Sequence, residues 1–389
     1  MTYRVRTLNN ISYTGLSRFP AERYTVDPDD PAPNALLLRS ANLHGQDIPE
    51  SLLAVARAGA GTNNIPIPEY SARGIPVFNT PGANANAVKE LVIAALFLAA
   101  RNIVPAAAVA HRLEGDADEM SAAVETGKKA FAGFELPGRT LGVIGLGAIG
   151  VEVANAATAL GMRVIGFDPA VTVEHAWKLS SFVERITSLD ELLQRADIVS
   201  VHVPLIPATR GLIGTDQLAR MRASAVLVNF ARGPIVDETA VVQALETDSL
   251  RGYVCDFPTP ALNKRARVVT LPHLGASTAE AEENCAVMAV DQLRGYLENG
   301  TIRNSVNFPE AGLSRAPDTA RLAIVNSNVP NMVGQISTLV AGAGLNISDL
   351  LNKSKGDLAY TLVDVEGDVG QDLFAQVKSI EGVLTARLL

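Results

Sequence analysis

The stretch LGVIGLGAIG, residues 141–150, decides the fold of this chain. Its first four residues are an apolar run typical of a buried strand, and an alanine-rich segment with helical periodicity follows it. A Gly-x-Gly-x-x-Gly turn that joins a strand to a helix brings backbone N–H groups close to a pyrophosphate. The stretch therefore predicts a dinucleotide-binding unit, with Gly145, Gly147 and Gly150 at the turn.

The next predicted strand, RVIGFD, ends in an acid at the spacing that such units require. Asp168 lies 18 residues after Gly150 and can accept hydrogen bonds from the hydroxyls of an adenosine ribose. Its charge would repel a 2′-phosphate, and the following Pro169-Ala170 supplies no cation. We therefore expect NAD rather than NADP as the cofactor.

Outward from this turn, strands and helices alternate strictly over residues 140–271. This order predicts an α/β protein with a doubly wound parallel sheet. Residues 1–80 show the same rhythm and predict a second α/β domain. A long helix is predicted over 278–299, with Ser277 and Glu280 at capping-box spacing, and it could return the chain to the first domain.

Two further segments complete the predicted organisation. Residues 84–101 give the strongest helix signal, with Asn84 or Asn86 as the cap and a nearly continuous apolar face that needs burial. Residues 306–320 are rich in Pro, Ala and Ser and are typical of a linker. From Arg321 onward the order of strands and helices predicts a βαββαβ unit of the ferredoxin-like type.

The composition excludes several classes of protein. The 389 residues carry 33 Lys and Arg against 41 Asp and Glu, a net charge of −8 without a long basic run, which argues against nucleic acid or a membrane as partner. Cys255 and Cys285 lie outside any Cys/His cluster, so neither a disulfide framework nor a metal site is expected. The N-terminal MTYRVRTLNN lacks an apolar signal core, and the longest apolar run, Leu91 to Ala100, is too short to span a bilayer, so we expect a cytoplasmic protein.

Side chains that follow the predicted strands are the candidates for chemistry, because ligands of open α/β sheets bind at the carboxyl ends of the strands. An Arg offers a bidentate fork for a carboxylate, and a His exchanges a proton near neutral pH. Together they indicate hydride transfer on a 2-hydroxy or 2-keto acid, whereas each residue alone also has an ordinary structural explanation. The candidates are Pro204, Arg232, Asp256 and His273. A structural role is preferred for the other histidines, His44, His111, His175 and His202.

Four motifs in this order resemble those of the NAD-dependent D-2-hydroxyacid dehydrogenases: FNTPGANANAVKELV, VIGLGAIG, NFARGPIVDE and LPHLGAST. The resemblance covers nearly the whole chain and includes a C-terminal segment similar to an ACT regulatory domain. It implies a Rossmann-type nucleotide domain inserted in a flavodoxin-like substrate domain. The implied boundaries are a substrate domain at 1–82 with a return segment at 278–305, a nucleotide domain at 83–277, the linker at 306–320 and the ACT-like domain at 321–389.

The resemblance also implies a reaction and roles for the candidates. The reaction is the oxidation of 3-phosphoglycerate to 3-phosphohydroxypyruvate, the entry to serine synthesis. Arg232 would hold the substrate carboxylate and carbonyl, and His273 would take the hydroxyl proton as hydride leaves for the nicotinamide. The implied cofactor contacts are Ala148 and Ile149 at the pyrophosphate, Ala231 and Asp256 at the nicotinamide end, and Pro204 and Gly275 in the strand-end loops.

Several cations match positions for the substrate phosphate. They are Arg39, beside Ser40 in LLLRS near the end of an N-terminal strand, and Lys128 or Lys129 in GKKAF. Charge-assisted contacts to a dianion suit these side chains. The two lysines are equally well explained as solvated surface residues, so that alternative stays open.

One departure from the family pattern concerns the imidazole. The family places a Glu between the Asp and the His, where it orients the ring, whereas residues 257–272 contain no Asp or Glu. Without this partner the ring of His273 is less basic and less well held. We favour the hypothesis that His273 acts without a carboxylate partner over the alternative that Glu280 or Glu282 replaces the missing Glu. The pH profile of activity should then be shifted or lack one limb.

Two partners are implied besides the substrate. Asn326, Asn328 and Asn346 resemble positions that bind L-serine in regulated members, and helix capping or turn closure explains them equally well. The apolar face of 84–101 favours a homo-oligomer, a dimer or tetramer, unless one chain covers that face by itself.

Two other functions are open at this point. One is a dehydrogenase of the same architecture for another 2-hydroxy acid, such as glycerate, glyoxylate or lactate, which would not need the phosphate-side cations. The other is a non-catalytic protein that senses NAD(H), which the missing Glu supports and the joint presence of Arg232 and His273 opposes.

Overall fold

The computed structural model describes residues 2–389 and divides into two compact units. Unit 1 comprises Met1–Ala83 and Glu282–Leu389, and unit 2 comprises Asn84–Ala281. The glycine turn at 145–150 therefore lies in unit 2, whereas the C-terminal residues belong to the same unit as the N-terminal ones.

The N-terminal part of unit 1 is a five-stranded parallel sheet. Its elements are β1 (Tyr3–Leu8), α1 (Tyr13–Leu16), β2 (Tyr24–Val26), β3 (Ala35–Leu38), β4 (Ala54–Arg57), α2 (Ile67–Ala72) and β5 (Val77–Phe78). The strand order is β2-β1-β3-β4-β5, and its central strands are short apolar runs with most residues buried. This is the 2-1-3-4-5 order of flavodoxin-like sheets, so the predicted fold class of this part is confirmed.

Unit 2 is built on a seven-stranded parallel sheet with helices along it. Its elements are α3 (Ala85–Arg101), α4 (Ile103–Ala110), α5 (Ala117–Gly127), β6 (Thr140–Ile144), α6 (Ala148–Ala159), β7 (Arg163–Phe167), α7 (Val173–Lys178), β8 (Val183–Arg185), α8 (Leu189–Arg195), β9 (Ile198–Val201), α9 (Thr215–Arg220), β10 (Val226–Asn229), α10 (Glu238–Glu246), β11 (Gly252–Cys255) and β12 (Val268–Thr270). The strand order is β12-β11-β10-β9-β6-β7-β8. The strand order reverses beside β6, so the carboxyl end of β6 is the expected ligand site. This order confirms the predicted doubly wound parallel sheet of the Rossmann type.

The C-terminal part of unit 1 is a four-stranded antiparallel sheet with two helices. Its elements are α11 (Ala279–Asn299), β13 (Thr319–Ser327), α12 (Met332–Gly342), β14 (Asn346–Lys355), β15 (Leu358–Glu366), α13 (Gln371–Ser379) and β16 (Val383–Leu388). The strand order is β14-β15-β13-β16, and the βαββαβ prediction is confirmed. At the start of α11, the Thr278 hydroxyl accepts the Ala281 N–H at 3.1 Å, so the capping box predicted at Ser277 is wrong by one residue.

The C-terminal sheet contributes to two cores through its alternating side chains. On one face Leu322, Ile324 and Val363 pack with α12 and α13. On the other face Ala323, Val325, Tyr360 and Leu362 belong to the same buried cluster as the β1–β5 sheet and α11. The C-terminal sheet therefore completes the core of the N-terminal part of unit 1.

Side chains of the C-terminal sheet also cap the last turn of α11. A helix leaves its final carbonyls without intrahelical partners, and positive charge is favourable at that end. The donors are Arg387 Nη2 to the carbonyl of Tyr296 at 2.9 Å, Arg321 Nη1 to that of Asn299 at 2.9 Å, and Tyr360 Oη to that of Gly300 at 2.7 Å. The end of α11 is thus fixed by residues from β13, β15 and β16.

One of these donors belongs to a buried ion pair. The Nε and Nη2 atoms of Arg321 donate to the two carboxylate oxygens of Asp364, both at 2.6 Å. The two side chains are 0% and 1% exposed. Because β13 and β15 are paired at these two residues, the register of the sheet itself sets the geometry of the pair.

Helices α3 and α4 differ in how far they are buried. Asn84 stands at the N-cap of α3 without a side-chain capping bond, while one face of α3 is buried within unit 2. Helix α4 has no buried residue. Within residues 2–389 no single helix is long and apolar enough to cross a membrane; α3 and α4 reach that length and composition only as a pair bent by 68°.

Candidate active site

The turn after β6 has the geometry that a pyrophosphate requires. Gly145 has a φ of +92°, and a Cβ at Gly150 would lie 1.9 Å from the Gly145 carbonyl oxygen, so neither position accepts a side chain. Gly147 is the N-cap of α6, and a Cβ there would meet nothing within 4 Å. The open side of Gly147 and the uncapped N–H groups of α6 therefore fit a bound pyrophosphate, with Ala148 and Ile149 in the first turn.

Asp168 lies just after β7, beside the glycine turn. Its Oδ2 accepts the Leu146 N–H at 2.8 Å, and its Oδ1 accepts the Ala170 N–H at 2.8 Å. Each carboxylate oxygen keeps a further lone pair for a ribose hydroxyl. The acid is thus held in place by backbone donors and remains able to bind a ribose.

Arg232 follows β10 in a loop that a buried asparagine holds. The Asn229 Nδ2 donates to the Arg232 carbonyl at 3.0 Å, and the Asn229 Oδ1 accepts the Ala231 N–H at 3.1 Å. The Arg232 side chain is half-buried, and its Nη1 donates to the Ala231 carbonyl at 2.7 Å. Its remaining N–H groups are available to a carboxylate.

His273 lies in the loop after β12 and is exposed. Its backbone is left-handed, with φ of 58°, and its N–H donates to the Asp256 carbonyl at 3.1 Å. The ring stands edge-on to that of Phe257, with 5.3 Å between the ring centroids. The imidazole is therefore supported by an aromatic neighbour and reaches solvent.

Asp256 holds this loop from the end of β11. Its side chain is buried, and its two oxygens accept the N–H groups of Leu274 at 2.7 Å and Gly275 at 2.8 Å. The structure thus gives Asp256 a positioning contact to the residues that follow His273. The nicotinamide contact implied for Ala231 and Asp256 and the cofactor contact implied for Gly275 stay predictions.

The His273 ring has no hydrogen bond or ion pair with an Asp or Glu in residues 2–389. Of the two acids considered as substitutes, Glu282 is paired with Arg39 at 2.6 Å. Glu280 is exposed in the first turn of α11. The absence of the family Glu from 257–272 therefore leaves the ring without a carboxylate partner in this part of the chain.

Two arginines meet at the carboxyl edge of the sheet in unit 1. Arg39 directly follows β3, and Arg57 ends β4, opposite Leu38 in the strand register. Both positive charges act on the thiol of Cys285 in α11: burial raises the pKa of that thiol, and the Thr80 hydroxyl and the two arginines oppose the rise. Arg57 is a candidate that the sequence-based prediction missed, although it directly follows the apolar run LLAVA at 52–56.

The other substrate candidates have local partners. Lys128 pairs with Glu125 one turn earlier, and Lys129 is exposed. The Ser40 N–H donates to Asn9 Oδ1 at 3.0 Å. The Pro204 carbonyl accepts the Thr209 hydroxyl at 2.5 Å.

The three asparagines predicted for an effector differ in exposure. Asn326 is buried, its Nδ2 donates to the Ser327 carbonyl at 2.7 Å, and its Oδ1 accepts the Thr361 hydroxyl at 3.3 Å. Asn328 is exposed and donates to the Gly356 carbonyl at 3.1 Å. Asn346 is exposed at the start of β14. The amide of Asn326 is thus engaged within the sheet.

His202 packs behind the glycine turn. Its Nε2 lies 2.8 Å from the Ser200 hydroxyl, and burial lowers the pKa of His202 to about 4. A Cβ at Gly145 would lie 2.7 Å from the His202 carbonyl oxygen. A neutral, hydrogen-bonded ring in this place agrees with the structural role preferred for it.

Comparisons with known proteins agree with this geometry. Residues 95–275 match the family described as "D-isomer specific 2-hydroxyacid dehydrogenase, NAD binding domain". The chain is 35% identical over 349 residues to the D-3-phosphoglycerate dehydrogenase of Haemophilus influenzae, covering 87% of this chain and 81% of that one. It is 34% identical over 353 residues to the enzyme of the same name from Escherichia coli, covering 87% and 82%. A crystal structure of a protein from Thermus thermophilus matches with a TM-score of 0.64 at 28% identity, covering 78% of this chain and 99% of that one.

The chain belongs to the D-isomer-specific 2-hydroxyacid dehydrogenases. It is an NAD-dependent oxidoreductase, and the turn at 145–150 with Asp168 supplies the groups that would hold NAD.

Proposed function

We propose that this chain oxidises D-3-phosphoglycerate to 3-phosphohydroxypyruvate, the first step of serine biosynthesis. The observation that carries the proposal is the pair of strand-end loops in the NAD-binding sheet, one with Arg232 and one with His273. The curated relatives of similar length carry the name D-3-phosphoglycerate dehydrogenase. The two arginines of unit 1 offer the charge that a phosphate monoester needs.

Each residue has one role in the proposed reaction. The guanidinium of Arg232 binds the substrate carboxylate and orients the carbon that bears the hydroxyl. The neutral ring of His273 accepts the hydroxyl proton, and Asp256 positions the loop that carries this ring. NAD, when bound, accepts the hydride from that carbon. We assign the substrate phosphate to Arg39 and Arg57.

NADH formation tests this proposal. We expect turnover with D-3-phosphoglycerate and much less with D-glycerate or D-lactate, because only the first carries a phosphate for Arg39 and Arg57. Turnover of an unphosphorylated acid alone would favour the other dehydrogenase class. NADH binding without turnover of any of the three acids would favour the non-catalytic NAD(H)-sensing protein. The lack of a carboxylate beside His273 supports that alternative.

The same assay with added L-serine tests regulation through Asn326, Asn328 and Asn346. A flat response up to millimolar serine would remove that hypothesis.

We also propose that a second copy of the chain covers the exposed apolar side of α3 and α4, which gives a homodimer. Phe97 is 40% exposed, and it lines a groove with Arg101 and Ile103 that continues along α4. A face this apolar is normally buried in an assembly.

A cytoplasmic location is proposed as well, since both cysteines are free thiols.

Charge in this groove should dissociate the dimer. Ile103 and Ala107 lie about one helical turn apart on the groove side of α4, so Ile103→Lys combined with Ala107→Lys would bury two unpaired ammonium groups. Light scattering should give twice the 41.0 kDa chain mass for the unmodified protein and a single chain mass for the variant. Trp177→Lys, on the exposed side of α7, is the control and should stay dimeric. A dimer in the doubly substituted protein would exclude this face as the interface.

A further inference from the structure

Glu282 places a carboxylate on one of the two cations that unit 1 offers to an anion. Its Oε1 lies 2.6 Å from Arg39 Nη1, and the two side chains are 45% and 37% exposed. Glu282 is the fourth residue of α11, on the same helix as Cys285. The guanidinium of Arg39 therefore already pairs with an anionic side chain of the same chain.

The charges around this position do not match a phosphate monoester while Glu282 stays in place. Arg39 and Arg57 supply two positive charges, and both act on the Cys285 thiol together with the negative charge of Glu282. The carboxylate of Glu282 therefore offsets part of the positive charge that Arg39 offers to an anion. A phosphate ester carries close to two negative charges at neutral pH, so its binding is weaker than the two arginines would give without Glu282.

We propose that Glu282 is an affinity-determining residue, which occupies Arg39 in the free chain and must be displaced by the phosphate of the substrate. This inference rests on the proposed function for the identity of the phosphorylated acid. A bound phosphate offers three acceptor oxygens and more negative charge than the carboxylate. It therefore replaces Glu282 as the hydrogen-bond partner of the Arg39 guanidinium. The cost of displacing Glu282 is subtracted from the affinity of every anion that binds there.

The displaced carboxylate keeps a favourable place. Glu282 lies in the first turns of α11, where the helix dipole stabilises negative charge. The helix itself is anchored farther along, where the Nε and Nη2 atoms of Arg18 donate to the carboxylate of Asp291 at 2.7 and 2.8 Å. Because the Glu282 side chain is 45% exposed, we expect displacement by a rotation of this side chain.

Calorimetric titration with inorganic phosphate tests the inference without any need for turnover. Glu282→Gln removes the competing charge and keeps the shape of the side chain, so phosphate should bind about fivefold more tightly, the upper range for an exposed ion pair. Glu283→Gln is the matched control, because Glu283 is the next residue, is exposed, and forms no ion pair within residues 2–389. This control removes the same charge from the same helix turn.

A double substitution distinguishes competition for Arg39 from a general change in the electrostatic potential around the phosphate. In the background of Arg39→Gln, the gain from Glu282→Gln should disappear, since the internal pair no longer exists. Equal or weaker phosphate binding in Glu282→Gln than in Glu283→Gln would overturn the inference. A gain that persists without Arg39 would overturn it as well.

Turnover adds an independent readout. The ratio of kcat/KM for D-3-phosphoglycerate to that for D-glycerate should rise about fivefold in Glu282→Gln, because only the phosphorylated acid must displace the carboxylate. If no acid is turned over while phosphate binds more tightly to the variant, the proposed function fails and the inference stands. If the acid is turned over and phosphate binding is unchanged, the inference alone fails.

Discussion

Asp364→Ala is expected to lower the free energy of unfolding of unit 1 by about 3–5 kcal/mol. The substitution leaves the guanidinium of Arg321 charged, 0% exposed and without its bidentate partner. The carbonyl of Asn299 remains as a neighbour, but a neutral acceptor does not replace a carboxylate. Urea unfolding followed by far-ultraviolet circular dichroism measures the change.

The control is an ion pair of the same geometry on the surface. Arg18 and Asp291 form a bidentate pair with side chains 45% and 42% exposed, so Asp291→Ala should cost less than about 1 kcal/mol. Replacing Arg321 and Asp364 together by leucine should recover much of the loss, because no charge is then left buried. If Asp364→Ala costs no more than Asp291→Ala, the buried charge is not what makes this position sensitive.

His273→Asn is expected to lower kcat by about 10²- to 10⁴-fold while NADH binding is retained. Asparagine keeps the polarity of the loop but cannot accept the hydroxyl proton. The loop itself should survive, since the backbone N–H groups of Leu274 and Gly275 still donate to Asp256. Initial rates with D-3-phosphoglycerate and fluorescence titration with NADH measure the two properties.

His175→Asn, on the exposed helix α7 of the same unit, is the matched control and should leave kcat unchanged. An unchanged kcat in His273→Asn would place the proton acceptor elsewhere. The pH profile of activity extends the test, because it should be shifted or lack one limb if His273 works without a carboxylate partner. If Glu280→Gln removes one limb of the profile, a substitute carboxylate serves the ring after all.

The fold was predictable where local signals agreed with one another. The glycine turn, the apolar strand before it and the acid after the next strand all require the same βαβ geometry, so the Rossmann sheet followed from residues 141–168. The C-terminal part of unit 1 was predictable for a similar reason, because the order of its strands and helices follows the βαββαβ pattern. The cap of α11 was misplaced because Ser277 and Thr278 are adjacent hydroxyl residues, and only the backbone shows which one accepts the bond.

The candidate site was less predictable because contacts distant in the sequence determine it. Arg57 could have been found by applying the strand-end rule to the first sheet as well as the second, since LLAVAR ends in that arginine. The pairing of Glu282 with Arg39 could not, because the two residues are separated by the whole of unit 2 in the sequence. The burial of Asn326 likewise depends on the neighbouring strand, which the sequence order alone does not provide.

The shared core of unit 1 has a consequence for synthesis on the ribosome. The residues of β1–β5 are synthesised before unit 2, but the cluster that buries them includes Tyr360 and Leu362, which are synthesised after unit 2. At about 5–20 residues per second, the first sheet must wait roughly tens of seconds for its covering strands. Unit 2 is continuous in the sequence and can fold in the meantime. The nascent N-terminal segment is therefore the part of this chain that most needs a chaperone while translation proceeds.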